Sequence, residues 1–192
     1  MEETMKGWRI INLKFNLSYF LFMVVAFDIE TTGLNPYESK VVLIGMKMEE
    51  EIRQWKLWEI SDEAKMISEA LEEIIEIEGT IIGYNNLKFD VPFMLKRLEV
   101  LGNSTKEFWE VYNKKWFDLY QYLGNNYRSL SLWTSRAGIE KEHPELRGRD
   151  MPAFFEANRF EHIINHNIDD LNTSVKLFKF LKESNPELLP FD

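Results

Sequence analysis

Apolar positions fall in short blocks through the first half of the chain and in a three-and-four rhythm near its end. That pattern predicts strands first and a long packing helix last. Val24-Val25-Ala26-Phe27, continued by Ile29, is rich in β-branched and aromatic residues and reads as a buried strand, closed by a turn at Thr31-Thr32-Gly33-Leu34. Val41–Met48 (VVLIGMKM) predicts a second strand, and Arg53–Glu59 (RQWKLWE) alternates like a third, with a charged turn at Glu49–Glu51 between them. Ser61 and Asp62 are placed to cap a helix from about Glu63 to Ile77, with Met66, Ile67, Ala70, Leu71, Ile74 and Ile75 on its apolar face and Gly79 at its end. Thr80–Tyr84 is a further short strand. Asn85–Asp90 turns into a helix from about Val91 to Leu101, with Pro92 in its first turn.

The second half is less regular. Phe108–Asn126 is aromatic without a clear period; within it Trp116–Leu119 predicts a short strand end followed by a helical turn. Ser129 or Ser131 opens a helix that runs to Arg136 and stops at Gly138. Glu140–Asp150, with Pro144 and Gly148, is the most loop-like stretch. Pro152–Asn158 predicts a short helix. Arg159–Lys182 predicts a long one, with Ile163, Ile164, Ile168, Leu171, Val175, Leu177, Phe178 and Leu181 along one face. The elements describe a single α/β (α+β) domain over residues 23–183, a central mixed sheet flanked by helices. Residues 1–22 form an N-terminal extension, read over 10–22 as an extra strand or hairpin arm, and 184–192 a tail marked by Pro186 and Pro190. Met23, directly ahead of the first strand, is an alternative translation start. The apolar stretch Ser18–Phe27 is too short to span a bilayer, and no small-residue cleavage site follows it.

Composition narrows the function classes. The 192 residues, 45% hydrophobic and 14% aromatic, suffice for one well-cored domain. With no Cys, disulfides, thiolate zinc sites and a cysteine nucleophile are excluded, and the chain fits an intracellular, cytoplasmic protein with no membrane partner. The formal charge of −9 argues against a protein that coats DNA without regard to sequence. It leaves room for an enzyme that holds nucleic acid through metals and a local basic rim.

Acids stand where a core-forming chain should not carry them. Asp28 and Glu30, two apart on a strand, project from the same face. Taken alone, such a pair is a solvated edge. Asp90, just before an apolar helix, is by itself an N-cap. His166 and Asp170, four apart, share one helical face, as helix-surface pairs commonly do.

In order along the chain, the three places resemble the motifs of the DEDD, or DnaQ-like, 3′–5′ exonuclease superfamily. FDIETTGL resembles its first motif. GYNNLKFDVPFM resembles the second, in the N-x-x-x-F-D form of family B DNA polymerase exonuclease domains. HNIDD resembles the third, where Tyr-x-x-x-Asp is usual, and is similar to the Y-N-x-x-D form of the YprB-like branch. The segments WFDLYQYL and LSLWTSRAGI are also similar to that superfamily, so the resemblance covers roughly residues 24–182. It implies a ribonuclease H-like fold and metal-dependent 3′–5′ hydrolysis of phosphodiesters to nucleoside monophosphates, with two divalent cations, Mg²⁺ or Mn²⁺. It also implies that Asp28, Glu30, Asp90 and Asp170 are the metal-binding acids. Asp28 would bridge both metals, Glu30 and Asp170 would complete the nucleophile-side one, and Asp90 would hold the second. Hard oxygen ligands suit these ions.

One departure stands out: His166 occupies the tyrosine spacing before Asp170, whereas histidine-bearing relatives place it one residue further, where this chain has Asn165. His166 is then either the group that orients or deprotonates the attacking water or a partner of the metal ligands. His162, one turn earlier, is read as an exposed helix residue.

By the same resemblance Thr31, Thr32, Gly33 and Leu34 would receive the 3′-terminal nucleotide, with Leu34 against its base and Asn85 and Phe89 beside the strand. A single-stranded 3′ end is the natural partner of such apolar faces. Lys88, Lys96, Arg97, Arg147 and Arg149 are candidates for a basic rim. Trp109, Trp116 and Trp133 are read as core. The leading expectation is an exonuclease on single-stranded DNA. An exoribonuclease of the same fold and a nucleic-acid-binding module without catalysis are the alternatives. Processive action by so small a chain would call for a homo-oligomer or a partner.

Overall fold

The run that carries Asp28 and Glu30 is the middle strand of the sheet. In the computed structural model, which describes residues 23–124 and 128–185, β1 (Val24–Thr31) lies between β2 (Val41–Met48) and β4 (Thr80–Gly83). The arm expected over residues 10–22 and most of the tail lie outside the described residues. β3 (Glu51–Lys56) and β5 (Lys115–Asp118) close the order β3-β2-β1-β4-β5. β1, β2 and β3 follow one another through the 32–40 loop and a tight turn and pair antiparallel; β4 and β5 are reached through helical crossovers, β4 pairing parallel to β1 and β5 parallel to β4. This is the mixed, helix-flanked sheet of a ribonuclease H-like α/β fold.

Period two along β1 sorts its side chains. Val25, Phe27 and Ile29 enter the core formed with α2 (Glu63–Glu76) and α3 (Asp90–Val100). Ala26 packs in the core under α7 (Phe160–Ser184), with Leu171, Leu177 and Phe178. Asp28 and Glu30 continue the Ala26 row, so they face α7. The register between β1 and β2 breaks between Glu30 and Thr31, where the strand gives way to its turn.

Several boundaries differ from expectation. The third strand begins at Glu51 and stops at Lys56, because the chain turns into α1 (Leu57–Ile60) and Trp58 leaves the sheet to stack on Phe160, 4.3 Å between ring centres. α2 is capped by Asp62, which accepts from the Lys65 N–H at 3.0 Å, but it ends at Glu76, before Gly79. Gly79 serves a close approach instead: a Cβ there would lie 2.3 Å from the Met23 carbonyl, which accepts from Thr80 N–H. The aromatic segment holds a 3₁₀ helix (Lys106–Asn113), then β5 and α4 (Leu119–Tyr122); α5 (Leu130–Arg136) is capped by Ser129, and α6 (Met151–Glu156) precedes α7. Trp109, expected in the core, is 55% exposed on the 3₁₀ helix beside Tyr112. Trp116 meets Phe27 edge-on.

Arg97 is not part of a basic rim. It is buried, forms a forked pair with Glu63 at 2.8 and 2.7 Å, and donates to the Pro36 carbonyl at 2.9 Å; Glu63 also accepts the Val41 N–H at 2.8 Å. One ion pair thus ties α3, α2, the start of β2 and the loop that follows β1. Removing one partner of a buried pair leaves the other charge stranded. Arg97→Met is expected to lose about 3–5 kcal/mol of stability, read from the midpoint of urea unfolding.

Candidate active site

Four segments meet at the carboxyl end of β1 and enclose a cleft of about 200 Å³. β1 supplies Asp28 and Glu30. The loop after β4 and the first turn of α3 supply Tyr84, Phe89 and Asp90. α7 supplies His166 and Asp170, and a short 3₁₀ helix (Gly148–Asp150) running into α6 brings Gly148 beside the His166 ring. Thr31 and Leu34 complete the wall, with Leu34 83% exposed.

Each acid is held by a different kind of donor. Asp90 accepts the Ile29 N–H at 3.1 Å, from the residue between the two β1 acids. It is therefore not the cap expected of it: Phe89 stands at the N-cap position and Asp90 is already helical, its carboxylate turned across to β1. Glu30 is buried and 2.8 Å from His166 Nδ1. Asp28 takes the Asn167 side-chain amide at 2.9 Å. Asp170 is paired with Lys141 and lies 3.8 Å from His166 Nδ1.

The adjacent acids of the third motif divide the work. Asp169 is buried and accepts the N–H groups of Glu142 and His143 at 3.1 and 2.8 Å, which pins the loop that delivers Lys141 to Asp170. Asp118 does the same for the second motif, accepting from Asn85 and Leu87 N–H at 2.9 and 3.2 Å. Asn86 reaches from that loop to the Phe27 carbonyl at 3.1 Å, over Gly83, where a Cβ would lie 1.8 Å from its Oδ1.

Of the expected substrate residues, Thr31, Leu34 and Phe89 line the cleft. Thr32 and Gly33 build the turn behind it: Thr32 exchanges hydrogen bonds with Lys40, and Gly33 leaves room for Ser39. Asn85 contributes a left-handed backbone, φ 72°, rather than a side chain in the wall. His162, expected on the surface, is half-buried with its ring 4.7 Å from Phe154.

Burial and crowding raise Asp28, Glu30 and Asp90. Asp28 is held well above the usual carboxylate range by desolvation, then by Glu30, Asp170 and Asp90, against the Asn167 hydrogen bond. Glu30 is raised by desolvation in spite of His166. Asp90 is pushed up to about 7, by desolvation first. His166 is lowered by burial but raised more by Glu30 and Asp170, and ends above the ordinary imidazole value. All four shifts favour proton uptake by the folded state. Stability from them is complete below the unfolded pKa values and is lost as pH climbs through the folded ones. In EDTA the melting temperature is expected to fall as pH rises from about 5 to 8; Asp90 alone, moved from 3.8 to about 7, accounts for about 3 kcal/mol over that range, the rest of its loss falling below pH 5. Differential scanning fluorimetry across that range checks it.

The family model described as the RNase H superfamily matches residues 25–182 of the chain. The protein belongs to the RNase H superfamily. Within reach of this RNase H superfamily member by sequence is an uncharacterized protein of Methanocaldococcus jannaschii, 30% identical over 171 residues, covering 80% of this chain and 92% of that one. By structure it is similar to the family B DNA polymerase of the hyperthermophilic archaeon Pyrobaculum calidifontis, with a TM-score of 0.67 and 20% identity over 85% of this chain and 24% of the polymerase. It is similar also to exonuclease I, TM-score 0.61 and 14% identity over 87% of this chain and 42% of that one. Another exonuclease I structure, from E. coli, is a complex with a 5cy-dT13 oligonucleotide, at a TM-score of 0.59. The chain spans about a quarter of the polymerase and two-fifths of exonuclease I.

The donor set suits divalent cations of the hard, oxygen-binding kind: four carboxylates share one cleft, and Asp28 among them is raised by desolvation first and then by Glu30, Asp170 and Asp90. Among the described residues no three acidic or histidine side chains converge on one point as a ready-made cage. Asn167, His166, Lys141 and the Ile29 N–H each hold one of the acids. Asn167 and Lys141 were not singled out from sequence, since a buried Asn on a helix and a Lys in a polar loop carry no periodic signal. Among the described residues no helix is long and apolar enough to cross a membrane.

Proposed function

We propose that this RNase H superfamily member is a metal-dependent 3′–5′ exonuclease acting on a single-stranded 3′ end, DNA in preference to RNA. The observation that carries the proposal is the meeting of Asp28, Glu30, Asp90 and Asp170, from three separated motifs, in one cleft at the end of the central strand. Asp28, Glu30, Asp90 and Asp170 are the residues that would hold Mg²⁺ or Mn²⁺, which supplies Lewis-acid activation of water and stabilisation of the departing oxygen.

The chain's own residues do the rest. Leu34 stands exposed at the mouth of the cleft, and Phe89 and Tyr84 line its wall, apolar faces on which an unpaired terminal base can stack. Those faces carry no pattern of base-edge donors and acceptors, which fits cleavage without sequence preference. His166 has two states with different uses. Protonated, it neutralises Glu30. Neutral, with Nδ1–H donating to Glu30 at 2.8 Å, it leaves the Nε2 lone pair to accept a proton from water. In this proposal the neutral form is the working one. His166→Phe is expected to cost about 10²-fold in rate and to remove the acid limb of the pH–rate profile; an unchanged rate and profile would leave His166 as a ligand partner only.

The test is incubation of 5′-labelled DNA and RNA oligonucleotides with Mg²⁺, Mn²⁺ or EDTA. The expected result is a ladder shortening from the 3′ end of single-stranded DNA, absent in EDTA. Faster laddering of RNA would make the protein an exoribonuclease, and binding without cleavage in any metal would make it a non-catalytic module.

A further inference from the structure

The β1–β2 and β2–β3 registers place Asp28 opposite Gly45, and Gly45 opposite Gln54. These three residues form one row across the sheet, on the face that α7 covers. Asn167, fully buried, lies over the middle of that row. On one side its amide nitrogen donates to Asp28 Oδ2 at 2.9 Å and approaches the Asp28 carbonyl at 3.4 Å. On the other its Oδ1 accepts from Gln54 Nε2 at 3.0 Å. A Cβ on Gly45 would sit 2.0 Å from that same Oδ1, so the glycine in mid-strand is the slot in which the amide rests.

The orientation of the amide follows from its neighbours. Turned over, it would set its oxygen against two acceptors of Asp28 and its NH₂ against the NH₂ of Gln54. All its hydrogen-bonding capacity toward the row is used in one sense only.

The donor is also of a distinct kind. Glu30 and Asp170 are held by His166 and Lys141, groups that carry or can take up positive charge and so compete with any cation the acids bind. A neutral amide does not compete. It can hold one oxygen of Asp28 while the carboxylate's other lone pairs face the cleft.

We propose that Asn167, locked by Gln54 and seated on Gly45, is a positioning residue that aims the Asp28 carboxylate for divalent-cation binding. The proposal rests on the reading of the cleft as a metal site and adds a residue outside the four acids. Supporting groups of this kind orient first ligands, and their loss typically weakens metal binding about 10–100-fold.

The test is Mn²⁺ binding by isothermal titration calorimetry, on the full chain, for wild type, Asp28→Ala, Asn167→Leu and Gln54→Glu. Asn167→Leu keeps the volume and removes the donor; its affinity is expected to fall about 10-fold or more. Gln54→Glu makes a sharper demand. If only net charge mattered, an added carboxylate near the cleft would tighten Mn²⁺. In the relay it draws the Asn167 NH₂ to itself and turns the amide oxygen toward Asp28, so binding weakens. Circular dichroism establishes that each variant is folded, and Gln54→Glu, half-buried on the sheet, carries the test should Asn167→Leu not fold. Wild-type binding that is lost in Asp28→Ala but unchanged in Asn167→Leu, or tightened in Gln54→Glu, overturns the role of Asn167 and leaves the metal site standing. No Mn²⁺ binding by wild type overturns both.

Discussion

Asp28→Asn is expected to reduce 3′-end cleavage about 1,000-fold or more while raising the melting temperature in EDTA. The two effects have one cause. Asp28 sits among Glu30, Asp90 and Asp170 with its carboxyl held well above the usual range, chiefly by desolvation and then by those neighbours. Two carboxylates about 4 Å apart repel by roughly 4 kcal/mol at an effective dielectric near 20. An asparagine removes the charge, keeps the size and still offers an oxygen to the Asn167 amide, so the metal-free fold gains. On the proposed function the same change removes a cation ligand from the place where charge develops in the transition state, where losses of about 10³ are ordinary for a single group. Cleavage assays with Mn²⁺ and melting curves with and without it give both readouts. An Asp28 that merely supported the fold would lower the melting temperature when replaced. A wild type whose melting temperature does not rise on adding Mg²⁺ or Mn²⁺, as bound ligand requires, would count against a metal site.

What could be read from the chain divides by the range of the interactions that set it. β2 matches its expected limits because its apolar run is bounded by turn residues at both ends. The four acids were legible because each motif is local: a strand pair, a helix entry, and two positions one helical turn apart. Their meeting in one cleft needed only the order of strands that short connections and crossovers impose. Arg97 misled because a basic residue on a helix looks solvated until Glu63, 34 positions earlier, is brought to it. Trp109 misled in the opposite sense, since large apolar area usually means core and here lies on a 3₁₀ helix that presents it to solvent. Asn167 and Lys141 were missed because their partners lie across the fold, Asn167 between Asp28 and Gln54, Lys141 on Asp170. Two cues were available: Asn167 holds the second place of the Y-N-x-x-D form that HNIDD resembles, and Gly45 interrupts the apolar run Val41–Met46, where glycine in a strand interior marks a close approach.

Lys141→Met is expected to act on the metal-free and metal-loaded protein in opposite senses. Lys141 is largely buried against Asp170, brought there by a loop whose backbone is tied to Asp169. In the absence of divalent cations it is the positive charge that offsets Asp170. Removing it leaves a carboxylate facing Glu30 and Asp28 without its partner, a loss of about 3–5 kcal/mol by the usual cost of breaking a buried pair. With Mn²⁺ the balance reverses. On the proposed site a cation bound by Asp170 must displace or repel Lys141, and a unit charge about 4 Å away costs on the order of 4 kcal/mol at an effective dielectric near 20. The variant should therefore melt lower than wild type in EDTA yet bind Mn²⁺ more tightly, by about 10²-fold or more. Its melting temperature should also rise further on Mn²⁺ addition than that of wild type. Melting curves and calorimetric titration read both quantities without reference to cleavage. Should Lys141 simply brace the loop, the first effect would appear without the second, and Mn²⁺ affinity would be unchanged or weaker. The loop is held independently by Asp169, so its path does not hinge on Lys141, and the two outcomes are separable in a single variant.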